Sequence, residues 1–192
     1  MALITSARQL GLARGRVDVV GSDPGWQLAF DQIAAELHTG LTSLEVTVEH
    51  VGSTAVPGLA AKPIIDIAIG VDGDVEIEPV VRRLEPLGYI YRGDLGDEGG
   101  HLFVLEDQPD HRVAHIHVVS TGDPQWSRYL AFRDRLRGDM QARTEYECLK
   151  RQLARRFPDN RGAYTAAKES FIQRLLASPG SSSVPSFSQD DR

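Results

Sequence analysis

The sequence predicts a mixed α/β (α+β) domain: a helix, then a mixed β-sheet in the middle of the chain, then a helical C-terminal third. Three observations carry this. The stretch PIIDIAIGV, residues 63–71, is almost continuously apolar and rich in isoleucine, as expected of a central strand buried on both faces. HLFVLE and RVAHIHVVS alternate around DQPDH and read as a hairpin-like pair. After Pro124 the alternation gives way to helical spacing.

In chain order, residues 1–16 carry arginines without periodicity and are expected to be weakly structured. Val17, Val19 and Val20 suggest a short strand. SDPGWQLAFDQIAAEL then opens a helix. Asp23 suits the N-cap, and Pro24 suits the first helical position, where its missing N–H costs nothing. Trp26, Phe30, Ile33 and Leu37 recur at steps of four, three and four and form one apolar face. LEVTV, residues 44–48, alternates as a strand does. EIEPVVRRLEPLG reads as a helix with Val80, Val81, Leu84 and Leu87 inward and Pro86 near its end. YIYR, residues 89–92, is a short strand, and GDLGDEGG is a loop. Three helical stretches follow: Trp126, Tyr129, Leu130 and residues 133–136; Tyr146, Leu149, Leu153 and Phe157; and Tyr164, Ala167, Phe171 and Leu175. Residues 178–192, SPGSSSVPSFSQDDR, have no periodicity and the composition of a disordered tail. A single domain over 17–177 results, with a sheet core over 17–122 and a helical part over 123–177.

At 192 residues, 41% hydrophobic and 25% charged, the chain is long enough for one domain with a real core. A net charge of −6 and a pI near 5.5 lack the basic footprint of sequence-independent nucleic-acid binding. They leave open a local basic pocket for a phosphorylated small molecule. One cysteine, Cys148, gives neither a disulfide framework nor a cysteine-based zinc motif. No run approaches the ~20 apolar residues that span a membrane. The N-terminus lacks the basic-then-apolar pattern of a signal peptide. The expectation is a soluble, cytoplasmic protein that does not use a membrane.

Alternation over residues 63–71 puts Ile64, Asp66, Ala68 and Gly70 on one face and Ile65, Ile67, Ile69 and Val71 on the other. A buried carboxylate has to meet a metal, a cation or several donors. Ala68 and Gly70 are small and leave room above the sheet at Asp66. Ahead of it stands the turn Gly52-Ser53-Thr54. Glycine lets a backbone approach an anion closely, consecutive N–H groups cradle it, and Ser53 and Thr54 add hydroxyls. Lys62, four residues before Asp66, is placed to neutralise a phosphate. The turn is neither a Walker A loop nor a dinucleotide fingerprint. His115 and His117 share one strand face. They suit metal ligation, donation to phosphate, proton transfer near neutral pH, or a plain hydrogen-bonded sheet face. His50, just before the turn, is a candidate to converge with them. Lys150, Tyr164 and Lys168 fall on the C-terminal helices, where cations are by default solvated. Arg133, among Tyr129, Leu130, Phe132 and Leu136, is the exception expected to face the site.

Taken together, these residues resemble the GrpB family over residues 17–177, through SDPGWQLAF, EHVGSTAVPGLAAKPIIDIAIGV, HIHVV, YLAFRDRLR and AYTAAKESFIQRLL. The resemblance implies a nucleotidyltransferase-like fold of the polymerase-β superfamily type. In that superfamily a Gly-Ser turn holds the triphosphate, an Asp-x-Asp pair on the next strand binds two divalent metals, and a third carboxylate follows on a later strand. The chemistry is in-line attack on a phosphoryl group. Gly52, Ser53 and Asp66 match that pattern, whereas Ala68 stands where the second acid belongs. An imidazole pair with one carboxylate suits zinc, manganese, iron or nickel better than magnesium. The expected function is a nucleotidyltransferase-like enzyme acting on a nucleotide or another phosphorylated or activated small molecule. Asp66, His115 and His117 would be catalytic. The same three with His50 would hold a divalent metal (magnesium, manganese or zinc). Gly52, Ser53, Thr54, Lys62 and Arg133 would bind phosphate. Two alternatives stand beside it: a catalytically lapsed nucleotide-binding module, and a metal-dependent cyclase, lyase or hydrolase on the same fold.

Overall fold

Ile65, Ile67 and Ile69 are each 0% exposed, and the row they form is the axis of the core. They lie on β3 (Ile65–Val71), one strand of a sheet ordered β2-β3-β6-β5-β4. Its other members are β2 (Val46–Val51), β4 (Tyr89–Asp94), β5 (His101–Gln108) and β6 (His111–Ser120). β3 runs parallel to β6, and the remaining pairs are antiparallel, so the sheet is mixed, as expected. The computed structural model describes residues 7–74, 76–96 and 100–178. The expected tail beyond Ser178, most of the first half of the N-terminal segment, and residues 97–99 of the GDLGDEGG loop lie outside the described residues.

Helix α1 (Gly25–Gly40) covers the isoleucine face. Trp26, Ile33 and Leu37 are buried as their spacing predicts, and the Asp23 carboxylate accepts the Gly25 N–H at 2.8 Å. Helix α2 (Ile77–Leu84) packs on the same core through Val80 and Leu84. It gives way to a 3₁₀ turn over Glu85–Leu87, where Pro86 cannot continue the α ladder. Helices α3 (Pro124–Gly138), α4 (Met140–Arg156) and α5 (Arg161–Ala177) match the three helical stretches of the sequence and take the opposite face. Trp126 of α3 lies over Gly70, where any added Cβ would meet its ring at 3.0 Å. The room expected above Gly70 is therefore filled by protein.

Two local readings change. The strand expected at 17–20 reduces to a single bridge between Val20 and Ala61. Val17 instead packs with Leu153 and Tyr164 of α4 and α5, and its N–H donates to the Pro158 carbonyl at 2.7 Å. The N-terminal segment, expected to be weakly structured, contributes a short strand, β1 (Leu12–Ala13), paired with β6.

Candidate functional site

The site grows from one register. β3 and β6 pair Asp66 with His115 and Ala68 with His117, so all four side chains share the face under α3. His115 Nδ1 lies 3.1 Å from Asp66 Oδ1. Burial disfavours the Asp66 carboxylate. The His115 hydrogen bond and the positive charge of His115, Lys62 and His117 outweigh that and hold its pKa well below the usual carboxylate range. His115 is only 4% exposed, and burial first, then the charges of Arg161 and Lys62, lower its pKa to about 4 against the pull of Asp66. Near neutral pH the pair is therefore a carboxylate and a neutral imidazole. Nδ1 carries the proton toward Asp66, and Nε2 is left as a buried lone pair without a partner among the described residues.

Gly52 forms the wall behind Asp66. Its φ is +68°, in the region that favours glycine, and a Cβ there would lie 2.6 Å from Asp66 Oδ2. The glycine that the sequence assigns to phosphate approach is thus required first by the carboxylate. Ser53 starts the 3₁₀ turn Ser53–Ala55 and lies close enough to Tyr146 of α4 to oppose the burial that raises that phenol's pKa.

Around Asp66 lies an excess of cations. Lys62 Nζ sits 5.5 Å from the centre of the Tyr164 ring, and Lys168 Nζ lies 4.6 Å from the same ring. Neither ammonium makes a salt bridge or donates a hydrogen bond to the described residues. The nearby Glu169 is held by Arg128. Burial lowers the pKa of Lys62 to about 8, with Asp66 opposing and Arg161 and Arg112 adding. Burial followed by the charge of Lys62 lowers Lys168 to about 7. Tyr129 lies 5.3 Å from His117, ring to ring, and burial raises its hydroxyl to about 12. Lys150 is buried over the Tyr146 ring at 4.7 Å, and its ammonium donates to the Ala60 carbonyl.

The structure brings Asp66, His115, His117, Gly52, Ser53 and Lys62 together and separates the rest. His50 is turned to the other sheet face, opposite Ile67, where its ring stacks on Phe30 of α1 at 4.6 Å. Its nitrogens lie 3.1 Å from Thr54 Oγ1 and 3.4 Å from Gln27 Oε1, so they are taken up by the frame. Thr54 is buried and donates to the Ile64 carbonyl rather than pointing at a ligand. Arg133 donates to Glu49 Oε2 at 2.6 Å, to Asp134 Oδ1 at 2.7 Å and to the His50 carbonyl at 3.1 Å. Its charge is neutralised within α3 and β2. The expectation for the helices is therefore inverted: Arg133 is held by Glu49 and Asp134, while Lys168, read as solvated, is half-buried over the Tyr164 ring, where the charge of Asp66 acts on it. Among the described residues no three His, Cys, Asp or Glu side chains gather into a metal-ligand set. A cavity of about 670 Å³ between α3, α4 and α5, lined by Asp134, Asp139, Glu145, Phe171 and Arg174, is formed by other residues than these.

The fold is thus a mixed α/β domain whose C-terminal helices cover a cation-rich face of the sheet. The chain belongs to the GrpB family: the model of that family, described as GrpB protein, matches residues 16–178. It is 32% identical over 170 residues to the glutamate-rich protein GrpB of Alkalihalophilus pseudofirmus, covering 87% of this chain and 98% of the relative. It is 38% identical over 164 residues to a UPF0157 protein of Pseudomonas aeruginosa, covering 84% of this chain and 66% of that protein. A protein of Mycolicibacterium paratuberculosis named a dephospho-CoA kinase is 31% identical over 191 residues, and this chain spans 46% of its length. Among solved structures, the crystal structure of the conserved protein GrpB from Enterococcus faecalis superposes with a TM-score of 0.74 at 35% identity, over 83% of this chain and 94% of that one.

Proposed function

We propose that the chain is an enzyme that binds a nucleotide or another phosphorylated small molecule on the Asp66 face, with transfer at a phosphoryl group as its reaction class. The observation that carries this reading is the pair of ammonium groups of Lys62 and Lys168. They flank one tyrosine ring beside a Gly-Ser turn and form no salt bridge among the described residues: the charge of Asp66 acts on both, and Glu169, which also acts on Lys168, is itself paired with Arg128. Partly buried like charges at close range are costly unless an anion lies between them. In this reading Ser53 would donate to a phosphate oxygen from the turn, with Lys62 and Lys168 neutralising it. Asp66 and His115 form a proton-handling pair beside it. A divalent ion enters this reading with the ligand. Asp66 offers one carboxylate, and magnesium bound through one carboxylate and substrate phosphates keeps its remaining waters. The donor set does not fit a two-metal site built by protein alone, because Ala68 replaces the second acid and His115 Nδ1 is committed to Asp66.

Ala68 also supports a second reading, a binding module that retains the phosphate site without turnover. Both are tested by calorimetric titration of the full chain with ATP, GTP, CTP, UTP, inorganic pyrophosphate and dephospho-CoA, each with and without magnesium or manganese. The name of one relative motivates the last probe. Binding that weakens about tenfold or more in Lys168→Ala supports the phosphate site. Absence of binding to every probe overturns it. Turnover of a bound probe that is lost in Asp66→Asn selects the enzyme over the module.

A further inference from the structure

Beyond the lysine pair, the same face holds an arginine with too few partners. Arg112 of β6 is 8% exposed, and its Nε is buried with no hydrogen-bond acceptor among the described residues. Its salt-bridge partner, Glu106 Oε1, lies 3.7 Å away, and the same oxygen also takes Arg92 at 3.4 Å. One carboxylate shared by two guanidinium groups leaves net positive charge in a desolvated place. The location follows from the backbone. Val113 and Ala114 both pack into the core, so the register shift between β5 and β6 turns Arg112 to the face of His115. Arg112 pairs with Leu12 of β1. The β1 segment is tied at Gly11 to the Pro63 carbonyl, 2.6 Å, and at Val17 to the Pro158 carbonyl, 2.7 Å. Arg112 therefore sits between the segment that leads into β3, which carries Lys62, and the connection that leads into α5.

Arg161, the first residue of α5, completes the set. It forms no salt bridge and no hydrogen bond from its guanidinium within the described residues. It is close enough to Arg112, Lys62, Lys168 and His115 for its charge to act on each of them. Arg14 also acts on Arg112 but is paired with Asp110 at 3.6 Å. Glu106, the carboxylate that acts on Arg112, is thus shared with Arg92, and Asp110 is taken by Arg14. Arginine forks suit phosphate oxygens in a bidentate arrangement, and Nε is one tine of that fork.

We infer that Arg112 and Arg161 form a second phosphate subsite beside that of Lys62 and Lys168, so that the ligand is a small molecule bearing two phosphate groups. This rests on the reading of the lysine pair as the first phosphate site. It adds that a ligand with one phosphate fills only half of the cationic surface.

The test is calorimetric titration of the full chain with AMP, ADP and adenosine 3′,5′-bisphosphate. The last two differ in the spacing of their phosphates. The variants are Arg161→Ala, a half-exposed position that leaves the core untouched; Arg112→Lys, which keeps the charge and removes the fork; and Lys168→Ala. Arg161→Ala and Arg112→Lys are expected to weaken ADP or the bisphosphate about tenfold or more while AMP stays within about twofold. Lys168→Ala is expected to weaken all three. Equal losses for AMP and the two-phosphate probes, or no loss in either arginine variant, overturn the second subsite and leave the first standing. Arginine-dependent binding that Lys168→Ala does not affect overturns the first subsite instead. A wild-type chain that binds none of the three overturns both.

Discussion

Asp66 is a carboxylate whose surroundings can be traced atom by atom, and each contact has a measurable consequence. Gly52→Ala forces a left-handed φ on an alanine and places its Cβ against Asp66 Oδ2. We expect a loss of about 1–3 kcal/mol in urea denaturation, together with loss of ligand binding as the carboxylate is pushed aside. The buried histidines set an acid limit. His50 and His115 both titrate near 4 in the folded chain against 6.5 when unfolded, chiefly through burial. The folded state then binds fewer protons, so their contribution is full above about 6.5 and is lost as pH falls toward 4. It is of order 3 kcal/mol for each histidine at most. Asp66, also lowered, extends the loss below that window. Urea midpoints between pH 7.5 and 4.5 should fall, and His115→Gln should flatten the slope; a pH-independent midpoint contradicts the assignment. Lysine chemistry limits binding from the alkaline side. Lys168 near 7 and Lys62 near 8 must be protonated to hold a phosphate. Phosphate affinity should therefore fall as pH rises through 7 to 8, with proton uptake visible as a buffer-dependent binding heat. At this scale the sequence showed Asp66, its face and the paired histidines, because alternation reports facing directly. It misplaced His50 by one step of the same alternation, since β2 runs to Val51 and turns His50 toward α1.

The turn and loop after β2 show how whole elements place those atoms. Helix side chains grip the backbone of this segment. Arg137 donates to the Ala55 carbonyl at 3.0 and 2.8 Å. Arg143 donates to the Pro57 carbonyl at 3.4 Å. At Ala60, Glu147 accepts the N–H at 3.1 Å while Lys150 donates to the carbonyl. Ala60 is buried, so its polar groups depend on α4. Glu147→Leu leaves that N–H without an acceptor and should cost about 1–3 kcal/mol, whereas Glu147→Gln should stay within about 0.5 kcal/mol. Chemical denaturation of the two variants, with hydrogen exchange at the Ala60 amide, tests this. The helices themselves were legible from the spacing of Tyr146, Leu149 and Leu153 and of Tyr164 and Phe171, because burial follows the helical period. Which cations faced inward was not, although a signal was present. Lys150 and Lys168 each follow a buried tyrosine by four residues and so share its helix face. Arg133 looked equally inward among its apolar neighbours, and only the structure shows Glu49 and Asp134 neutralising it.

Across the whole molecule, the sheet supplies Asp66 and His115, the segment leading into β3 supplies Lys62, and the last helix supplies Tyr164 and Lys168. Long-range convergence of this kind is invisible to local pattern, which is why the sheet order and the cation cluster had to come from the structure. Free of ligand, the face carries mutual repulsion between the two halves. Multivalent anions should relieve it. The thermal midpoint should rise more in sulfate than in chloride at equal ionic strength, and this difference should shrink in the Lys62→Ala, Lys168→Ala double variant. Equal responses of the two proteins would remove the repulsion from the account. The shared tyrosine ring has one more consequence. An anion seated over Tyr164 would join residues 106 positions apart in the chain, from Lys62 to Lys168. It would act as a removable staple between the front and back of the polypeptide, and its release would be felt as slack at the junction of sheet and helices.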